Sequence, residues 1–221
     1  VKIGINLVGV SFNDGTYGRY RNYKDAINEF NTWIVNPLKE EGHEVLFYIC
    51  TYYNDKLKEI EQDYKPQNFV IAPPSYNNLG GGDKVGSYKA ISSIYLNSLN
   101  FLQNQDLDLI ISTRFDIKFF KNPFKEYNFD FTKFNFLWRE PEYTNLPIVN
   151  DTFVVFPYSM LDNVISSIEE METNPPEGIN VAMHNWYLPM VNQVGAENVQ
   201  WVDDEFKNAI TNDLYILTRH D

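Results

Sequence analysis

A chain of 221 residues with 43% hydrophobic and 22% charged residues is long enough to bury a sizeable core in one α/β domain. Its formal net charge is −12, and no run of Lys and Arg interrupts that acidity, which excludes a binder of nucleic-acid backbones. An anionic small ligand stays open, because one Arg or a bound divalent cation reverses a local potential.

Lys2 to Phe12 opens the chain as a strand, apolar almost throughout from Ile3 to Val10, as suits a strand covered on both faces. Asn13-Asp14-Gly15 ends it. A helix is predicted from about Asn22 to Glu41, with Ile27, Phe30, Ile34 and Leu38 at helical spacing, a kink at Pro37 and Gly42 as C-terminal cap. Glu44 to Thr51 reads as a second buried strand, Asn54 to Asp63 as a short helix and Asn68 to Ala72 as a third strand. Two successive βα units with short joints predict right-handed crossovers and a parallel sheet. A Pro-, Asn- and Gly-rich loop, Pro73 to Gly82, leads into a long helix capped by Asp83. Val85, Tyr88, Ser92, Tyr95, Leu99 and Leu102 form its inward stripe. Asp108 to Thr113 is a fourth buried strand.

After Asp116 the helical period stops. Short strands at Phe134–Trp138 and Thr152–Phe156 alternate with proline-bearing loops. Helical segments follow at Ser159–Met171 and Ile179–Asn192, the latter split by Pro189, and Leu214 to Thr218 is a last strand. The expectation is a single domain, residues 1–116 nucleotide-binding in style and residues 117–221 a mixed α+β half wrapped around it. A chain that begins at Val1 reads as a piece of a longer protein. Cys50 is the single cysteine, so no intrachain disulfide is expected, which fits a reducing, cytoplasmic setting. Neither a leader nor a membrane-spanning apolar run is seen. Aromatic residues make up 16% of the chain; they serve either as core or as rings lining a sugar or base site.

Ligands of open α/β sheets sit at the carboxyl ends of the strands. Asp116 closes Ile110-Ile111-Ser112-Thr113-Arg114-Phe115-Asp116 just past such an end. A carboxylate there can hold Mg²⁺ or Mn²⁺ against a diphosphate, or it can be a turn or capping aspartate. Asp106-Leu107-Asp108 has the D-x-D spelling of a metal motif but precedes the same strand, and a strand of five or six residues spans ~17–20 Å. That pair is therefore expected at the opposite edge, in a solvated turn.

The order of elements, with an acidic motif after the fourth strand, resembles the GT-A glycosyltransferases. Ile111 to Phe119 (ISTRFDIKF) is similar to the metal motif of virus- and alga-encoded members, including those of large chlorella viruses. The resemblance implies a metal-binding role for Asp116. Arg114 stands where the first acid of the motif usually does and is expected to contact the donor's sugar or phosphate. It also implies an acid beneath the acceptor, for which Asp151 is the candidate general base, with a turn aspartate as the other reading. A terminal histidine completes the metal shell in many members, and His220 matches that place.

Further donor-binding candidates follow from their places at strand ends. Gly9 and Ser11 admit a base or ribose, or form a plain tight turn; Arg19 and Arg21 meet a diphosphate. Tyr52, within Thr51-Tyr52-Tyr53, stacks on a uracil, and Lys84 stands at a helix N-terminus that favours anions, with Lys89 a turn later on a solvated face. His184-Asn185-Trp186 offers a polar pair beside a ring, or a satisfied core histidine. The expected activity is transfer of a hexosyl or deoxyhexosyl unit from a UDP-sugar to a glycan hydroxyl, with inversion and with Mn²⁺ or Mg²⁺. The alternatives are a nucleotidyltransferase, whose Gly-rich basic first loop is missing from Val8-Gly9-Val10-Ser11, and a sugar-binding module without turnover, a class more often all-β.

Overall fold

The computed structural model describes residues 1–15, 19–72, 84–140, 148–173, 183–208 and 212–220, with the backbone alone at 84–90 and 219–220. The strands, in chain order, are β1 (Lys2–Gly9), β2 (Phe12–Asn13), β3 (Tyr20–Asn22), β4 (Glu44–Tyr52), β5 (Asn68–Ala72), β6 (Leu109–Thr113), β7 (Ile117–Phe119), β8 (Phe134–Phe136), β9 (Phe153–Pro157), β10 (Val199–Trp201), β11 (Tyr215–Leu217) and β12 (Arg219–His220). The α-helices are α1 (Ile27–Phe30), α2 (Asn36–Glu40), α3 (Leu57–Tyr64), α4 (Lys84–Asn100), α5 (Pro123–Glu126), α6 (Leu161–Thr173) and α7 (Tyr187–Val194).

Seven strands form one sheet in the order β10-β8-β9-β6-β1-β4-β5. β9 pairs antiparallel with both β6 and β8, and every other pairing is parallel. The α/β class with a mostly parallel central sheet is therefore as expected, and strands from both halves of the chain share the sheet. Its interior strands are apolar on both faces because each face is covered. One face packs Val8, Ile110, Val154 and Phe156 against Tyr95, Leu99 and Trp186; the other packs Ile5, Ile49, Ile111 and Val155 with Phe30, Ile34 and Phe119. A fully buried side chain of this size contributes about 1.5–3 kcal/mol of hydrophobic free energy, so the two covered faces dominate the fold's stability.

Most aromatic rings belong to this core. Phe134 stacks on Phe156 with centroids 5.2 Å apart and meets Trp186 edge-on at 5.2 Å, and Trp186 donates its indole N–H to Ser167 at 2.7 Å. Trp186 is thus a core residue and not a sugar platform.

The predicted first helix is segmented. A 3₁₀ turn at Tyr23–Asp25 leads into α1, then a π-helical turn at Asn31–Val35, then α2. The physical cause is Pro37, which has no N–H to give the carbonyl four residues back. The helix widens ahead of it, and Asn36 N–H reaches Asn31 O, five residues earlier. In α7 Pro189 lies in the first turn, where no N–H is required, so it does not split that helix. The strands β7 and β10, unforeseen in the sequence, have three residues each, too short to show a period.

Three features set the site's position. β1 and β4 run in register to Gly9 opposite Thr51, and β6 ends at Thr113 opposite Leu7. β9 begins with Phe153 opposite Thr113, so its antiparallel direction delivers its start to the carboxyl edge of β6. Last, β11 pairs with β7, and Thr218 N–H donates to the Asp116 carbonyl at 2.8 Å, which brings the chain's end to the same edge. Asp106 and Asp108 lie at the other edge as expected: Asp108 accepts the Lys2 N–H at 2.7 Å, and Asp106 pairs with the Lys2 ammonium.

Gly9 has φ +110°, and a Cβ placed there meets nothing within 4 Å. Backbone conformation and not crowding therefore requires glycine, and the space beside it is open. Gly9→Ala is expected to destabilise the chain by about 1–2 kcal/mol, read as a lower urea midpoint at unchanged slope.

Candidate active site

Asp116 follows two residues after Arg114, past the end of β6. Its side chain is nearly excluded from water and belongs to the turn that joins β6 to β7, as one of the two sequence readings had it. Arg114 lies along it, with Nε donating to Oδ1 at 2.9 Å and Nη2 to Oδ2 at 2.7 Å. A second guanidinium, Arg21 from β3, brings Nε to 3.6 Å from Oδ2. Such a side-on, two-bond pair is the strong form of the arginine–carboxylate contact. Burial opposes the charge on Arg114, but the adjacent Asp116 outweighs it and raises the arginine's pKa further. An unpaired charge here would be costly, so the two residues stand or fall together.

Asp151 stands beside this pair at the start of β9. It is 7% exposed, and among the described residues no donor forms a hydrogen bond to its carboxylate. Its main chain is fixed instead. The Asp151 carbonyl accepts the Tyr95 hydroxyl at 3.1 Å. On either side of it, Asn150 donates to the Tyr215 hydroxyl at 2.8 Å, and Thr152 Oγ1 lies 2.8 Å from the same oxygen. The last strands thus hold the segment that carries Asp151.

Two neighbours of Asp151 were not assembled from the sequence. His184 Nδ1 is 3.2 Å from Glu140 Oε2, and its Nε2 is 4.0 Å from Asp151 Oδ1. Glu140 is buried and also accepts from Asn150 Nδ2 at 3.3 Å. Burial pulls the His184 pKa down, but Asp151 and Glu140 on its two sides overcome that and raise it to about 9. His184 is therefore an imidazolium at neutral pH. Its neighbour Trp186 gave a visible core signal, but the pairing with Glu140 depends on a hairpin in which Glu140 N–H bonds to the Ile148 carbonyl and Val149 N–H to that of His184. The edge thus gathers Asp116, Asp151 and Glu140 against Arg114, Arg21 and His184.

The donor-side expectations fare differently. Gly9 lies at the edge with open space beside it. Ser11 is 1% exposed, and its hydroxyl is 2.7 Å from Thr51 Oγ1 and accepts from Asn54 Nδ2 at 3.1 Å, so its side chain ties β1 to β4. Tyr52 likewise is 8% exposed and packs in the core, whereas Tyr53 is 69% exposed and presents its ring at this edge. Arg19 sits at the tip before β3, its carbonyl accepting from Asn13 Nδ2 at 3.2 Å. Lys84 and Lys89 lie in α4 and His220 in β12, with its backbone opposite Tyr20. The side chains of these three residues lie outside the described ones.

The expected cation was Mn²⁺ or Mg²⁺. Such ions take several oxygen ligands at about 2.0–2.6 Å. Among the described residues no group of three His, Cys, Asp or Glu could hold a metal ion. Asp116 has both oxygens accepting from Arg114, with Arg21 close by. The described donor set does not fit a divalent cation.

No family model and no curated protein matches the chain. Among solved structures, the crystal structure of a glycosyltransferase involved in the glycosylation of the major capsid of PBCV-1 is similar to it, with 9% identity over 92% of this chain and 82% of that one and a TM-score of 0.49. Among the described residues no helix is long and apolar enough to cross a membrane.

A histidine whose pKa is raised on folding adds stability that is complete below its unfolded value, near 6.5, and is lost as pH rises through about 9. Thermal melts of the wild type and of His184→Gln should therefore differ most below pH 6.5 and converge above about 9. A gap that does not change with pH would contradict the imidazolium assignment.

Proposed function

We propose that this chain is a glycosyltransferase domain that moves a sugar from a nucleoside diphosphate sugar, UDP-linked, to a hydroxyl of a glycan, with inversion. The observation that carries the reading is the pairing of unlike groups on one sheet edge: the Arg114–Asp116 ion pair beyond β6, and the Asp151 carboxylate just before β9, with no hydrogen-bond donor among the described residues. Diphosphate departure needs donors for a developing anion, and acceptor attack needs a nearby proton acceptor. The edge holds both.

In the step, the acceptor oxygen forms a bond to the anomeric carbon and gives its proton to Asp151. The bond from that carbon to the diphosphate oxygen breaks, and its electron pair leaves with the UDP. His184 keeps a positive charge with Nε2 4.0 Å from Asp151 Oδ1. Gly9 leaves room at the end of β1, and the exposed ring of Tyr53 offers a face on which a base can stack. The hexosyl or deoxyhexosyl character of the donor sugar is part of the same reading.

Asp151→Asn keeps the shape and removes the proton acceptor, so transfer should fall ~10²–10⁴-fold while UDP binding hardly changes. Product anomers read by NMR should be inverted relative to the donor. Full transfer by the variant, or a retained anomer, would sink the base assignment.

A further inference from the structure

The nucleotide-sugar reading requires a counter-charge for the diphosphate, and the motif that should supply it contains an arginine engaged with its own acid. Asp116 is not available as a free ligand, since each oxygen accepts a hydrogen bond from Arg114. A cation bound there would displace those bonds and sit against two guanidinium groups, Arg114 and Arg21. The pair can act the other way round. Asp116 grips Arg114 by Nε and Nη2, one edge of a planar fork with five N–H donors. Side-on gripping leaves the N–H groups of Nη1 and the second of Nη2 for another acceptor. The Arg114 side chain retains 24% exposure while Asp116 retains 3%, so the arginine and not the acid reaches the surface of the edge.

We propose that Arg114, held by Asp116 and seconded by Arg21, binds the diphosphate of the donor in place of a divalent cation, so that the nucleotide is bound without metal. The inference rests on the nucleotide-sugar reading and deepens it. Asp116 is a positioning residue: its carboxylate fixes the plane of the guanidinium and keeps it charged. Planar N–H donors match phosphate oxygens in pairs, and a positive group in a partly buried site acts with little solvent screening. When the anomeric bond breaks, the electron pair arriving on the diphosphate oxygen is stabilised by these N–H bonds, which move no proton and need no further reactant.

The geometry makes Arg114 and Lys unequal. An ammonium cannot hold both Asp116 oxygens side-on and still offer a fork to phosphate, so Arg114→Lys keeps the charge and loses the arrangement.

The test is calorimetric titration of UDP into the whole chain, once with EDTA and once with Mn²⁺ or Mg²⁺. The same affinity in both conditions is expected. Binding at least about tenfold tighter with the metal, equivalent to ~1.4 kcal/mol, would overturn the inference and leave the nucleotide-sugar reading standing. Absence of UDP binding in every condition would overturn both. Arg114→Gln should weaken UDP roughly ten- to a hundredfold, and Arg114→Lys should fall between it and the wild type. Because Arg114→Gln removes the side-on partner of a buried carboxylate, the double variant Arg114→Gln/Asp116→Asn takes away both charges together. In a chain shown to be folded by circular dichroism, it should show the same loss. Wild-type UDP affinity in that double variant would overturn the proposal.

Discussion

The carboxylate of Asp116, 2% exposed just past the end of the central strand β6, is compensated by Arg114, which lies along both of its oxygens, and by Arg21 at 3.6 Å. A single buried charge there would cost several kcal/mol, and one partner removed leaves the other in that condition. The pair therefore constrains everything near it. The guanidinium plane is fixed, Arg21 is drawn in from the β3 ribbon, and Thr218, just past β11, closes against the Asp116 main chain. What in sequence is an acidic motif becomes in space a positively charged surface resting on an acidic base.

A second constraint comes from direction. Were β9 parallel to β6, its start would lie beside Lys2, Asp106 and Asp108, at the far edge. Running antiparallel, it sets Asp151 near the pair, and with it Glu140 and His184, which reach it through the hairpin at Trp138–Glu140 and Ile148–Asn150. The second half of the chain thus contributes Asp151, Glu140 and His184 to an edge built by strands of the first. The charges of the edge then balance locally, three acids against three bases, in a protein whose formal net charge is −12.

Strands buried on both faces were legible as continuous apolar runs. Ile110 and Ile111 fall at the centre of the sheet, and the edge strand Asn68–Ala72, though partly exposed, matches its predicted bounds. Ser92, Tyr95, Leu99 and Leu102 are buried on α4 as their spacing implied. The place of Asp116 past a strand's carboxyl end could be read too, because the strand-end rule needs only topology, whereas Asp151 came from the resemblance. Other features were invisible for physical reasons. Three residues of β7 or β10 contain no period, and a π-helical turn ahead of Pro37 is a backbone response to a missing N–H. Tyr52 is the last residue of β4 and Tyr53 the first beyond it, so where the strand ends decides which ring is buried. The Arg114–Asp116 contact depends on rotamers, and the His184–Glu140 contact on a hairpin that closes over a distance in sequence no local pattern spans. The single thiol, Cys50, is inert where it lies, its pKa pushed up to about 12 by burial.

The central claim is that the carboxyl edge of β1, β4 and β6 receives the diphosphate on an arginine that an aspartate holds in place. A crystal structure of the chain soaked with UDP tests it most directly. The account predicts diphosphate density at the end of β6, with phosphate oxygens within hydrogen-bonding distance of Arg114 and the uracil toward Gly9 and Tyr53. Diphosphate bound at the opposite edge, beside Lys2 and Asp106, or a broken Arg114–Asp116 pair with a metal ion on the freed carboxylate, would contradict it.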